Sequence, residues 1–189
     1  TSDQVSALTT AQAAALTSTQ AVGITTSQTA ALETADLAAM TTSAFAAVTP
    51  SAVATLSGVQ VGSLTNAQVT ALTTAQAAAL TSTQAVGITT SQTAALETAD
   101  LSVMTTSAFA TIATGVIAGL SSVQFGALTT DQVKALTTAQ AAALTSTQAV
   151  GITTVQTAAL ESGDLNKLST AAFEAIDTAV IAGLSGTQV

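Results

Sequence analysis

Three carboxylate pairs are the side chains here whose types and spacing suggest chemistry. They are Glu33/Asp36, Glu97/Asp100 and Glu161/Asp164, each written Glu-x-x-Asp. Carboxylate oxygens of this kind suit a hard cation such as calcium. No Asp-rich ligand loop accompanies them, and a plainer role fits: acids favour helix N-termini. Asp is then expected to take the capping place that Gln holds elsewhere, with Thr34 capping instead of Glu33, because Glu is a poor cap residue. No metal or other cofactor is expected. The 189 residues include no His and no Cys, which removes the usual general base and the usual soft metal ligands. Ser and Thr are plentiful but have no visible activating partner. The sequence predicts a protein that is not an enzyme.

Charge narrows the partners. Lys134 and Lys167 are the only cations against ten Asp and Glu, a formal net charge of −8. That excludes a basic nucleic-acid footprint and argues against attraction to anionic lipid. Thr, Ser or Gln interrupts every apolar run well before the ~18 residues a membrane span needs, so no membrane insertion is expected. Without cysteine there is no disulfide framework.

The elements that must position the acids follow from periodicity. From Leu8, every eighth residue to Leu184 is a large aliphatic: Leu16, Ile24, Leu32, Met40, Val48, Leu56 and onward. A second period of 64 residues lies over the first, so that Phe45, Phe109 and Phe173 are equivalent, as are Gly23, Gly87 and Gly151. The chain reads as one continuous array over 1–189, with long repeats 8–71, 72–135 and a partial 136–189, and no linker between them. Pro50 aligns with Thr114 and Thr178, and such uneven drift resembles natural duplication. Beginning and ending inside repeats, the sequence is expected to be a window of a longer repetitive protein.

Each unit carries its own start signal. Thr9 and Gln12 have the spacing of a capping box, repeated at Thr17/Gln20, Thr25/Gln28, Ser57/Gln60, Thr65/Gln68 and Thr129/Gln132. Ala-rich segments between the caps favour helix. The expected fold is all-α: a solenoid of very short capped helices, each of about one and a half turns, one per eight-residue repeat. Apolar residues three apart, such as Val5/Leu8, Leu37/Met40, Phe45/Val48 and Val61/Leu64, mark one packing face. Gly at the position before the aliphatic suits a helix end in the left-handed region. The 64-residue repeat is easiest to reconcile with two or four units per superhelical turn. A single long helix fails, because eight residues rotate the aliphatic row by about 80° per unit. A β-solenoid is the alternative, since Thr and Val favour strands. It would place Gln12 on the face of Leu8 and Leu16, a poor core. Disorder is opposed by the unbroken aliphatic row.

Polarity falls where the Gln position becomes Ala108 and Val116, with counterparts at Ala44, Ala52, Ala172 and Val180. Around them Phe45, Phe109, Ile112, Val116, Ile117, Phe173, Ile176 and Val180 are candidates for an apolar self-association patch; the competing reading is a wider core.

Tandem Leu-Thr-Thr-x-Gln, at Leu8, Leu72, Leu128 and Leu136, resembles the low-complexity repeats of very large bacterial secreted or surface proteins described as adhesin-like. The resemblance covers nearly the whole chain and implies an extracellular, cell-surface setting; it carries no functional residues. The expected function is a structural segment of an extracellular bacterial fibre, stalk or surface layer. Its partner would be itself, in filaments or lateral assemblies, with Ser and Thr open to O-linked glycans. The alternative is a binding module whose Thr rows (Thr9, Thr17, Thr25 and Thr10, Thr26, Thr42) match ice or a polysaccharide.

Overall fold

Thr-x-x-Gln restarts the backbone every eight residues, and the computed structural model, which describes residues 1–188, shows the result. Twenty-one α-helices and two 3-10 segments follow one another, one to a unit. Among the described residues there is no strand. A typical unit has the helix Thr10–Ala14 after the extended cap residue Thr9, and ends at Ala15. Helices of four to six residues hold about one and a half turns. In isolation so short a helix is marginal, so packing must hold it.

That packing is with neighbours along one axis. Each helix touches the one three units further on: Ser18–Val22 against Thr42–Ala47, Pro50–Val53 against Thr74–Ala79, Ser146–Val150 against Thr170–Glu174. Hydrogen bonds also tie each turn to carbonyls 28 and 31 residues back. One turn of the solenoid therefore takes between three and four units, not the two or four that the long repeat suggested. The long repeat is a period of sequence and not a whole number of turns.

The aliphatic row points inward, as expected. Leu32, Met40, Val48, Leu56, Leu96, Met104, Ile112 and Leu120 are all buried. The residue three before each packs on the same side, so Leu37, Phe45, Val53, Leu101, Phe109 and Ile117 are buried with them. Complete burial of one such side chain contributes roughly 1.5–3 kcal/mol.

The glycines have a different cause from the one expected. No described residue has positive φ, and Gly23 ends its helix at φ −81°. Gly87 is small because two turns meet backbone to backbone: a Cβ on Gly87 would lie 1.9 Å from the carbonyl oxygen of Gly58. In the next long repeat, a Cβ on Gly151 would lie 2.1 Å from the carbonyl oxygen of Ser122.

Candidate functional site: a glutamine ladder and its acidic gaps

Where a protein of ordinary composition would gather a cleft, this one repeats a bond. In the unit opened by Thr73, the N–H of Thr73 donates to Gln76 Oε1 at 2.9 Å, and the N–H of Gln76 donates to Thr73 Oγ1 at 3.2 Å. This is the reciprocal capping box read from the sequence, and it recurs at every Thr/Gln or Ser/Gln pair named above. The box uses only the oxygen of the carboxamide. Its nitrogen turns to the preceding turn. Gln76 Nε2 donates to the carbonyls of Phe45 at 3.1 Å and Val48 at 2.7 Å. Gln68 reaches Leu37 and Met40, Gln92 reaches Val61 and Leu64, Gln124 reaches Thr93 and Leu96, and Gln132 reaches Leu101 and Met104.

The carbonyls they meet belong to helix C-termini: the nearer one, such as that of Val48, is the C-cap carbonyl, and the other, such as that of Phe45, also accepts from the N–H of the C-cap residue. One side chain thus caps the start of its own helix and the end of another. That explains why Gln68, Gln76, Gln132 and Gln140 are buried to 1 % exposure or less. A Gln facing inward was held against the β-solenoid as a poor core; here the carboxamide is in the core and bonded at both ends. Local spacing reveals the Oε1 half of the arrangement. The Nε2 half spans 28 to 31 residues, and nothing in an octapeptide announces it.

The acid pairs depart from this pattern. Glu33, Glu97 and Glu161 stand at the cap position with no side-chain cap bond, and Thr34 lies in the first turn and does not cap. Asp36 and Asp100 do not take over the Gln role either: Oδ2 of each is buried without a hydrogen-bond partner. The shorter side chain brings no N–H to the carbonyls. Burial, and then the charge of Glu97, push the Asp100 carboxyl up to about 6; burial and then Glu161 raise that of Asp164. Among the described residues no group of three or more His, Cys, Asp or Glu gathers as a metal site would need.

The apolar candidates are core. Phe45, Phe109, Ile112, Val116, Ile117, Ile176 and Val180 are all buried, which corrects the expectation of a lateral patch. Where Gln is replaced by Ala108 or Val116, bulky neighbours close the interior by contact alone. Phe173 is 40 % exposed, because no helix three units later in this sequence covers it. Large aliphatics that do reach the surface are valines, such as Val59, Val86, Val123 and Val150. Both Thr rows are exposed: Thr9, Thr17 and Thr25 accept backbone N–H bonds as caps, whereas Thr10, Thr26 and Thr42 lie in the first turn.

An eight-residue capped unit, repeated in register around a buried carboxamide ladder, is the signature of a tandem-repeat solenoid. The ALTTAQ repeat family model matches residues 29–66, 93–138 and 157–189, more than half of the sequence, and the chain belongs to that family. No curated protein and no solved structure matches it. No helix among the described residues is long and apolar enough to cross a membrane.

Proposed function

We propose that the chain is a load-carrying spacer: a structural segment of an extracellular bacterial fibre, stalk or surface layer that builds length by adding turns. The observation that supports this reading most is the glutamine ladder, because its bond joins one turn to the next and has no natural limit. Each ladder bond, such as that of Gln76 to Phe45 and Val48, ties one turn to the turn before it, so a further turn of the same sequence would be held in the same way. Solenoid stability is a sum of such nearest-neighbour terms.

The absence of His and Cys and the scarcity of cations suit a passive role and favour no catalytic one. The ice or polysaccharide reading has less support, since the hydroxyls of one of its two rows, Thr9, Thr17 and Thr25, already bond to the backbone. Small-angle scattering and electron microscopy of the purified protein test the proposal. Rods whose length grows with the number of 64-residue repeats are expected; compact particles of constant length would overturn it.

A further inference from the structure

Asp36, Asp100 and Asp164 stand in the Gln place of their units. The register on either side of Asp100 is fixed by Gln92 and Gln124, each bonded to carbonyls 28 and 31 residues back. The same offsets lead from Asp100 to Leu72 and Val69, from Asp36 to Leu8 and Val5, and from Asp164 to Leu136 and Val133. At Asp164 a cavity of ≈ 10 Å³ shows the juxtaposition, since Asp164, Val133 and Leu136 line it together with apolar side chains. Asp36 and Asp100 are 2 % and 3 % exposed, and each aims an unpartnered Oδ2 into the interior. An ionised carboxylate can only accept, so the unpartnered Oδ2 of Asp36 and of Asp100 offers no N–H where other units place a donor.

We propose that Asp100 and Asp164 are acid-closed joints. Protonation turns each carboxyl into a donor toward the helix end of the preceding turn, and the solenoid is held more tightly in acid than at neutral pH. A proton fits the site better than a metal ion. Calcium takes six to eight oxygens, whereas the Asp164 cavity has apolar walls and room for about one water at most.

Few other charges face the joint. The helices against Thr98–Val103, which are Thr74–Ala79 and Ser122–Gly126, contain no titratable residue. Thr130–Lys134, bonded to it through Gln132, carries Asp131 and Lys134, both exposed, and Glu97 of its own unit is exposed. The folded Asp100 carboxyl, raised to about 6 from an ordinary 3.8, favours the proton more than the unfolded chain does. Its penalty on the fold is absent below about pH 4, grows as pH rises toward 6 and is complete above that.

Thermal unfolding of the full chain between about pH 5 and about pH 8 tests the proposal. The wild type is expected to melt several degrees higher at the acidic end. Asp36→Asn/Asp100→Asn/Asp164→Asn, which supplies an N–H at any pH, is expected to melt above the wild type at pH 8 and to lose most of the slope. Asp100→Gln alone, restoring the residue of other units, is expected to shift pH 8 melting in the same direction. Asp3→Asn/Asp131→Asn/Glu174→Gln removes as many charges from exposed positions and is expected to keep the slope. The proposal fails if the wild type melts lower in acid, if both triple variants lose the slope equally, or if Asp100→Gln lowers melting at pH 8. It fails too if calcium raises the pH 8 melting point of the wild type but not of the Asn variant. A carboxyl-carbon titration of Asp100 by NMR with a midpoint near 4 would also overturn it.

Discussion

Residues 65–96 and 97–120 hold the same eight-residue geometry by different means. The first stretch places Gln68, Gln76, Gln84 and Gln92 in succession, each buried and each bonded to an earlier turn. In the second stretch the same places read Asp100, Ala108 and Val116, and one of its caps is Ala113, without a side-chain bond. There the interior is closed by Phe109, Ile112, Ile117 and Leu120, all at 2 % exposure or less. A carboxamide ladder specifies register, because each Nε2 must find particular carbonyls. A hydrocarbon core contributes more cohesion per unit but is tolerant of small slips. Alternating the two lets a monotonous array keep its register while apolar units separate the buried carboxamide runs Gln60 to Gln92 and Gln124 to Gln156.

The comparison can be broken most severely at the tight contact in the first stretch. Gly87→Val would drive a Cβ into the Gly58 carbonyl, and a loss of about 4 kcal/mol or more is expected. Gly119→Ala meets Thr93 Cγ2 at 3.2 Å and the Gly115 carbonyl oxygen and Thr93 Oγ1 at 3.4 Å, and should cost far less. Denaturant melts of the two variants decide this, and equal losses would show that the backbone contact is not limiting. In the second stretch Phe109→Ala empties the core and is expected to cost about 3–5 kcal/mol. Hydrogen exchange should place the loosening in units 97–120 and their neighbours three units away, leaving the distant turns protected.

Gln76→Leu comes next. It leaves the Thr73 N–H and the Val48 carbonyl without partners, at about 1–3 kcal/mol for each buried group left unsatisfied. If hydrogen exchange at Thr73 were unchanged, the ladder would be ornamental. The smallest effect sharpens the contrast from the other side. Ala113→Thr installs the missing cap and is expected to stabilise by ~0.5–2 kcal/mol, read as a rise in melting temperature.

Much of this was legible in the octapeptide. Thr-x-x-Gln announces where each helix begins, and the aliphatic row announces its inner face. These are short-range properties, fixed by bonds between residues three or four apart. The destination of Gln76 Nε2, the contact of Gly87 with Gly58 and the burial of Phe109 depend on how far the chain travels before it returns. That distance follows from the angle between successive short helices, which the residues of one unit do not reveal. The acid pairs were misread for the same reason: Asp100 is the right residue type for a local cap, but its surroundings come from a turn 28 to 31 residues away.

The fractional number of units per turn makes the rod incommensurate with its own sequence. Residues that match from one 64-residue repeat to the next, such as Val22, Val86 and Val150, are all exposed and are separated by a fractional number of turns, as steps on a spiral staircase are when the tread count does not divide a full circle. Identical side chains therefore come round to one side of such a shaft less often than the 64-residue repeat alone would bring them.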